Sequence, residues 1–333
     1  MQAESHKIQP NKVNYTAPGW ARNQHVQSLL ATVKLRRRFV QKRAKAMLDA
    51  SEEVIIECDD GIKLQSYYSQ AAKDAPLVVL IHGWEGSHQS LYLLSCASTL
   101  FDNGYNVIRL NLRDHGDSHH LNQELFHSNR LAEVVNAVKK IEDQYQPSKL
   151  FLAGFSLGGN FALRVANRAH QHNISIEKCV AVCPALDPKD ILEKLENGLS
   201  VYIKYFMYKW KRSLRKKQDL FPHLYDIEES LQTDSMRELT EELVNYYGEY
   251  DSINAYFDGY DITGDYLNSL DINTSILLAK DDPIIDYRAI YTLPAKPNIA
   301  YYLSEHGGHC GFIKNRKLHS WLDDFLLQEL EST

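Results

Sequence analysis

No apolar stretch in these 333 residues approaches the roughly 18 needed to cross a bilayer, so the chain carries no candidate transmembrane segment. Its start, MQAESHKIQP, is polar and lacks the apolar centre of a secretory signal, and a cytoplasmic location is the expectation. Cysteine is scarce and odd in number: Cys58, Cys96, Cys179, Cys183 and Cys310 lie in or beside apolar runs. That excludes a disulfide framework and predicts buried free thiols, with Cys179 and Cys183 on one face of a strand. Excess positive charge is lacking too. With a net charge of −6, the chain as a whole offers nucleic acid no electrostatic attraction. Internal repeats and low-complexity segments are also missing, which excludes a solenoid. What remains, 44% hydrophobic and 24% charged residues, is the composition of an ordinary globular protein.

The most informative stretch is Leu150-Phe-Leu-Ala-Gly-Phe-Ser-Leu-Gly-Gly-Asn160. Leu150 to Ala153 reads as a buried strand, Gly154-Phe155-Ser156-Leu157-Gly158 fits Gly-x-Ser-x-Gly, and Phe161 to Ala169 continues at helical spacing. Strand, sharp turn and helix are the context in which that pattern means a nucleophile elbow. The neighbours two residues from the serine must be small, and both are glycine. Ser156 is therefore predicted to stand exposed at the carboxyl edge of a sheet, where the amides opening the helix point at an anion.

Around this elbow the chain alternates strands and helices. Glu53–Cys58 and Ile62–Tyr68 flank Asp59-Asp60-Gly61 as a hairpin. Leu77–Ile81, Tyr105–Leu110, Ile176–Cys183, Thr274–Lys280 and Ile299–Leu303 are further strands; Leu91–Phe101 and Leu131–Tyr145 are helices, and Trp321, Phe325 and Leu326 mark a closing one. Apolar runs without alternation, separated by helices, mean a parallel sheet buried on both faces. Residues 187–270 break the cadence with two helical stretches, Ile191 to Lys217 and Ser230 to Tyr250, rich in aromatics. The expected organisation is a basic N-terminal extension (1–50), a core (51–186 and 271–333) and a helical cap insertion (187–270). The basic cluster of Lys34, Arg36, Arg37, Arg38, Lys42, Arg43 and Lys45 is most simply a solvated face, with transient contact to anionic headgroups as the alternative. The six cations between Lys209 and Lys217 read as a solvated helix end.

The loops at strand ends carry the chemistry. After Ile81 comes His82-Gly83-Trp84-Glu85-Gly86-Ser87, where glycine lets backbone amides approach a ligand; Trp84 N–H and Leu157 N–H are the predicted oxyanion donors. His82 reads as a structural histidine bonding the loop backbone, and Arg113 in Arg113-Asp-His-Gly-Asp-Ser118 as a loop-stabilising ion pair. His115, His119, His120 and His127 lack metal-ligand spacing, so no metal and no cofactor are expected. Asp282, followed by Pro-Ile-Ile, is the predicted orienting acid, with Asp281 as local capping; His309 is the predicted general base, with His306 as alternate. Pocket candidates are His82, Gly83, Phe155, Tyr205 and Tyr256, the last two from the aromatic-rich cap.

With His82-Gly-Trp-Glu-Gly-Ser87, Gly154-Phe-Ser-Leu-Gly-Gly-Asn160, Ala279-Lys-Asp-Asp-Pro283, Glu305-His-Gly-Gly-His-Cys-Gly-Phe312 and Asn23-Gln-His-Val-Gln-Ser28 in place, the chain resembles the YheT-like branch of the α/β-hydrolases. That branch is kin to abhydrolase-domain lipases and fungal alcohol acyltransferases. The resemblance implies an α/β-hydrolase fold with a mostly parallel twisted sheet of about eight strands. It also implies Ser156, Asp282 and His309 as a triad and a small-molecule ester as substrate. The Arg113–Ser118 turn is closer to general monoacylglycerol-lipase-like hydrolases. Carboxylester hydrolysis is the expected activity; acyl transfer to an alcohol uses the same residues, and a non-catalytic binding module on the same fold is the remote alternative.

Overall fold

The computed structural model describes residues 8–332; the first seven residues of the polar start lie outside them. Among the described residues nine strands form one sheet: β1 (Asn11–Lys12), β2 (Ser51–Glu57), β3 (Lys63–Ser69), β4 (Leu77–Ile81), β5 (Asn106–Leu110), β6 (Leu150–Phe155), β7 (Ile176–Val182), β8 (Asn273–Ala279) and β9 (Ile299–Ser304). Their order across the sheet is β1-β9-β8-β7-β6-β4-β5-β3-β2. Strand β3 pairs antiparallel with both neighbours, and the other pairings are parallel. The expected count of about eight is exceeded by β1, two polar residues matched to Tyr302 and Leu303 of β9. A strand held by backbone pairing alone leaves no apolar alternation in the sequence.

The unbroken apolar runs are explained by burial on both faces. Leu77, Val79 and Ile81 point into one cluster, with α5 (Leu131–Tyr145) and α6 (Leu157–Ala166), while Val78 and Leu80 point into the other. There they meet α4 (Leu91–Asp102), α11 (Leu322–Glu331) and Val40 of α2 (Lys34–Arg43). Cys179 follows this alternation, but Cys183 does not. The strand ends at Val182, and a backbone φ of +44° turns Cys183 into the opposite cluster. The two thiols are thus on opposite faces, contrary to expectation, although all five cysteines are free and buried.

Between β7 and β8 the chain forms four helices where two were expected: α7 (Pro188–Asn197), α8 (Ser200–Leu220), α9 (Met236–Tyr247) and α10 (Ile253–Asp258). The run from Ile191 to Lys217 is interrupted at Gly198, and α9 starts late because Ser235, whose side chain accepts from the Glu238 N–H, caps it.

Two cations read as solvated are in fact buried. Arg36 donates to the carbonyls of Leu318 at 3.0 Å and Ala31 at 3.3 Å. Lys217 pairs with Asp114 at 2.7 Å and donates to the carbonyls of His119 and Asn122. Lys217 thus replaces its lost hydration with three fixed acceptors, as burial of a charge demands, whereas Arg36 does so at Nε and Nη1 and leaves Nη2 unpartnered. Helix α1 (Gln24–Leu30), capped by the Asn23 side chain, and α3 (Lys45–Asp49) complete the N-terminal segment. Among the described residues no helix is long and apolar enough to cross a membrane.

Register aligns the functional loops. Ile81 is level with Gly154, Phe155 with Val182, and Ala279 with Ser304, so the loops leaving β4, β6, β8 and β9 emerge along one carboxyl edge. The turn after β6 is tight. A Cβ on Gly154 would stand 2.0 Å from the Gly158 carbonyl oxygen, and one on Gly158 would stand 2.3 Å from the oxygens of Ile81 and His82. Gly154→Ala is therefore expected to destabilise the protein by at least about 3 kcal/mol, read as a lowered denaturation midpoint; a wild-type midpoint would refute this account of the turn.

Candidate active site

Ser156 sits between β6 and α6 with φ 54° and ψ −122°, a conformation that residues bearing a Cβ avoid and that structures retain at functional sites. Its amide donates to the Val182 carbonyl at 2.9 Å, and its own carbonyl accepts from Asn160 and Ala185. This frame fixes the direction of Oγ, which lies 2.9 Å from His309 Nε2. The other ring nitrogen, Nδ1, is 2.8 Å from Asp282 Oδ2. Asp282 Oδ1 accepts from the amides of Ile284 and Ile285 at 2.8 and 3.0 Å, which locks the carboxylate in place. Burial by itself would lower the His309 pKa. The Asp282 carboxylate and the Cys310 sulfur outweigh that and push it up to about 9. Such a set can take a proton from a hydroxyl, hold the resulting imidazolium and hand the proton on.

The alternates lie apart. Asp281 accepts from Gly308 N–H at 2.9 Å and stands 3.4 Å from His306 Nδ1, and neither has a hydrogen bond to Ser156 among the described residues. Trp84 and Leu157 both line the cavity at Ser156. Leu157 opens α6, so its N–H has no acceptor within the helix. The Trp84 loop abuts the elbow, since a Cβ on Gly83 would come within 3.0 Å of Ser156 Cβ.

Two cavities meet at Ser156 and His309. One, of about 110 Å³, runs under the helices between β7 and β8 and is lined by Leu192, Leu195, Trp210, Met236, Tyr256 and Ile285 among others. The second, of about 140 Å³, opens between α1 and α8 past Leu29, Gly83, Glu85, Tyr205 and Lys209. The Trp84 indole divides them, stacked on Phe206 at 5.4 Å and edge-on to Trp210 at 5.2 Å. Of the pocket candidates, Gly83, Tyr205 and Tyr256 line these cavities. His82 and Phe155 do not. His82 is fully buried: Nε2 accepts from Leu112 N–H at 3.2 Å, leaving Nδ1 to donate to the Gly83 carbonyl at 2.8 Å. Phe155 follows strand alternation onto the α4 side, where it meets Tyr92.

The Arg113–Ser118 turn buttresses this loop from behind. His115 Nδ1 donates to the Arg113 carbonyl at 2.7 Å, leaving Nε2 to accept from Glu85 N–H at 3.1 Å; Arg113 itself bridges Glu124 and Glu133 at 2.8 and 2.7 Å. The cluster of potential metal donors among the described residues is Cys183, His309 and Cys310, within 4.8 Å of one another, but both His309 nitrogens already serve Asp282 and Ser156.

Sequence reasoning missed the clamp made by α1. Ser28 Oγ accepts from His309 N–H at 2.8 Å. Gln27 donates to Tyr15 Oη at 2.9 Å and the Ala21 carbonyl at 2.7 Å, and accepts from Ile313 N–H at 2.7 Å. The Asn23–Ser28 motif was the available signal, and it carried no hint of the partner.

A family profile described as the alpha/beta hydrolase fold matches residues 76–316. YheT of Escherichia coli (strain K12), an esterase by name, is 27% identical over 299 residues, covering 83% of this chain and 85% of its own. Monoacylglycerol lipase ABHD2 of Homo sapiens is 24% identical over 217 residues, 59% of this chain and 50% of that protein. Among solved structures, Pyrococcus furiosus esterase Pf2001 superposes with a TM-score of 0.56 at 16% identity, covering 98% of each chain. With the profile spanning most of its length, the chain belongs to the α/β-hydrolase fold family.

Proposed function

We propose that this protein is a serine carboxylic-ester hydrolase. The observation that carries the reading is the continuous relay from Ser156 Oγ through His309 to Asp282, at 2.9 and 2.8 Å, at the junction of two cavities. Ser156 Oγ attacks the ester carbonyl, a C–O bond forms, and His309 Nε2 takes the hydroxyl proton. The amides of Trp84 and Leu157 hold the oxyanion. As the tetrahedral intermediate collapses, the bond to the leaving oxygen breaks and His309 returns the proton to it, giving the alcohol. Water, deprotonated by the same imidazole, then releases the acid and restores Ser156. Both cavities are largely apolar; the one under the cap helices, lined by Leu192, Leu195 and Met236, suits the acyl group, and the second, which also holds Glu85 and Lys209, suits the alcohol. The names of the E. coli and human relatives agree with this chemistry. An alcohol admitted to the second cavity in place of water would make the enzyme an acyltransferase.

Ser156→Ala should lower turnover of a soluble p-nitrophenyl ester by on the order of a thousandfold or more; near-normal cleavage by that variant would refute the assignment. The base must be neutral to accept a proton. Because its pKa is pushed from 6.5 to about 9, kcat/KM should rise with pH through the neutral-to-alkaline range. Asp282→Asn should cut the rate and move that limb to lower pH. Full wild-type activity already at pH values below the ordinary histidine range would sink the account of His309. Ser28→Ala removes one neutral hydrogen bond to the His309 backbone. With that bond contributing about 1 kcal/mol, kcat should fall about fivefold at unchanged KM, whereas a change in KM alone would show that Ser28 shapes the pocket and does not position the base.

A further inference from the structure

Helix α8 has two differently built sides. Tyr202, Phe206, Trp210 and Leu214 face inward. On the outer side Val201, Tyr205, Tyr208 and Arg212 recur at helical spacing, with Lys204 among them. Val201, Tyr205 and Tyr208, together with Leu199 at the start of the helix and Leu29 of α1, are between 42% and 66% exposed. Scattered singly on a surface such side chains need no explanation. Here Leu29, Val201 and Tyr205 line one opening, the mouth of the cavity that leads to Ser156.

Helix α8 itself is strongly cationic, although Glu85 lies at the same cavity mouth. Helix α8 carries seven cations and one acid, Asp219, in its last turn. Several cations are already paired: Lys211 with Asp234, Arg215 with Glu228, Lys216 with Asp117 and Lys217 with Asp114. Lys204 and Arg212, the two interleaved with the exposed aromatics, have no ion pair among the described residues; Arg212 lies 6.0 Å over the Tyr208 ring. On a protein of net charge −6, a face with unpaired cations and exposed tyrosines fits a surface that is negative outside and apolar beneath. Tyrosine rings and long cationic side chains sit well at such a boundary, each with an apolar body and a polar tip.

We infer that the outer side of α8 with Leu29 is a docking face for an anionic lipid membrane, oriented so that the cavity mouth meets the bilayer. A lipid ester would then pass from the membrane to Ser156 between α1 and α8 without crossing water. This deepens the ester-hydrolase reading by naming lipid esters as the substrate class, and it rests on that reading for its purpose. The docking cations are placed on α8; of the basic N-terminal cluster, Arg36 is buried while Arg37 and Arg38 are exposed.

The test is sedimentation of the full chain with vesicles of phosphatidylglycerol and phosphatidylcholine, against vesicles of phosphatidylcholine alone. Wild type should partition at least about tenfold more strongly onto the anionic vesicles, and raising the salt should weaken it by screening the cations. Lys204→Glu with Arg212→Glu, and separately Leu199→Ser with Tyr208→Ser, should each reduce that binding about tenfold. Both pairs should hydrolyse soluble p-nitrophenyl butyrate within about twofold of wild type, which establishes that they fold. Equal partitioning of wild type and variants, or wild type left in the supernatant, would overturn the docking face. So would variants that alter self-association while vesicle binding stays unchanged, because the face would then serve a protein contact. Vesicle binding needs no catalysis, so a wild type that binds vesicles but does not hydrolyse p-nitrophenyl butyrate would refute the ester-hydrolase reading alone.

Discussion

The site depends on one constrained backbone position. Ser156 is held at φ 54° and ψ −122°, and several features around it exist because that conformation must be enforced. Glycine is needed at 154 and 158 because carbonyl oxygens occupy the space a Cβ would take. The Ser156 amide and carbonyl are both bonded, to Val182 on one side and to Asn160 and Ala185 on the other, so the turn cannot relax by rotating its peptides. Strain of this kind costs on the order of 1–3 kcal/mol per residue and survives only where the surroundings over-determine it. Glu85, Asp114, Cys183 and Cys310 also have positive φ, and each follows the carboxyl end of a strand at or beside this edge.

The second constraint is the reach of His309. Its loop must bend back from β9 toward Ser156, and the N-terminal segment supplies the surface it bends against. Cβ atoms on Gly308 and Gly311 would strike Gln24, Gln27 and Ser28 of α1, so the loop lies directly on that helix. Gln27 ties α1 to Tyr15, Ala21 and Ile313 in one network, and β1 anchors the start of the segment to β9 itself. β1, Tyr15 and α1 therefore act as a brace on the loop that carries the imidazole, and His25 Nδ1, 2.9 Å from Tyr202 Oη, carries the brace on to α8.

How much of this could be read from the sequence follows from how local each signal is. The elbow was legible because Gly154, Ser156 and Gly158 answer to constraints within five residues of chain. Parallel strands were legible because burial on both faces removes alternation, as in Leu77–Ile81. The Pro-Ile-Ile after Asp282 distinguishes it from Asp281, because the amides of Ile284 and Ile285 hold its carboxylate. His82 bonds the loop backbone as its sequence context implies, with both nitrogens spent on Gly83 and Leu112, and for that reason it is no pocket residue. The failures share a different origin. Phe155 sits one residue from Ser156 yet points to the opposite side, because alternation in β6 outweighs nearness in sequence. Leu192, Met236 and Ile285 line the cavity without any local mark, since only tertiary packing brings them there.

Charge was the least legible property, because a cation in the sequence does not announce where its partner lies. Lys217 stands in a basic run that reads as solvated, yet it reaches Asp114 at 2.7 Å across 103 residues. Burying such a pair gives little net stability, since desolvating two ions offsets most of their attraction; what the pair supplies is position. Asp114 belongs to the turn whose His115 supports the Glu85 amide, and the same turn takes a hydrogen bond from Ser213 of α8 through the Asp114 carbonyl. One buried charge pair thus fixes three things relative to one another: the loop behind Trp84, the turn after β5 and the helix that covers both. Because the inner cations of α8 are committed to that task, the outer ones are free of it. The same helix can therefore be fastened to the core on one side and keep Lys204 and Arg212 available on the other.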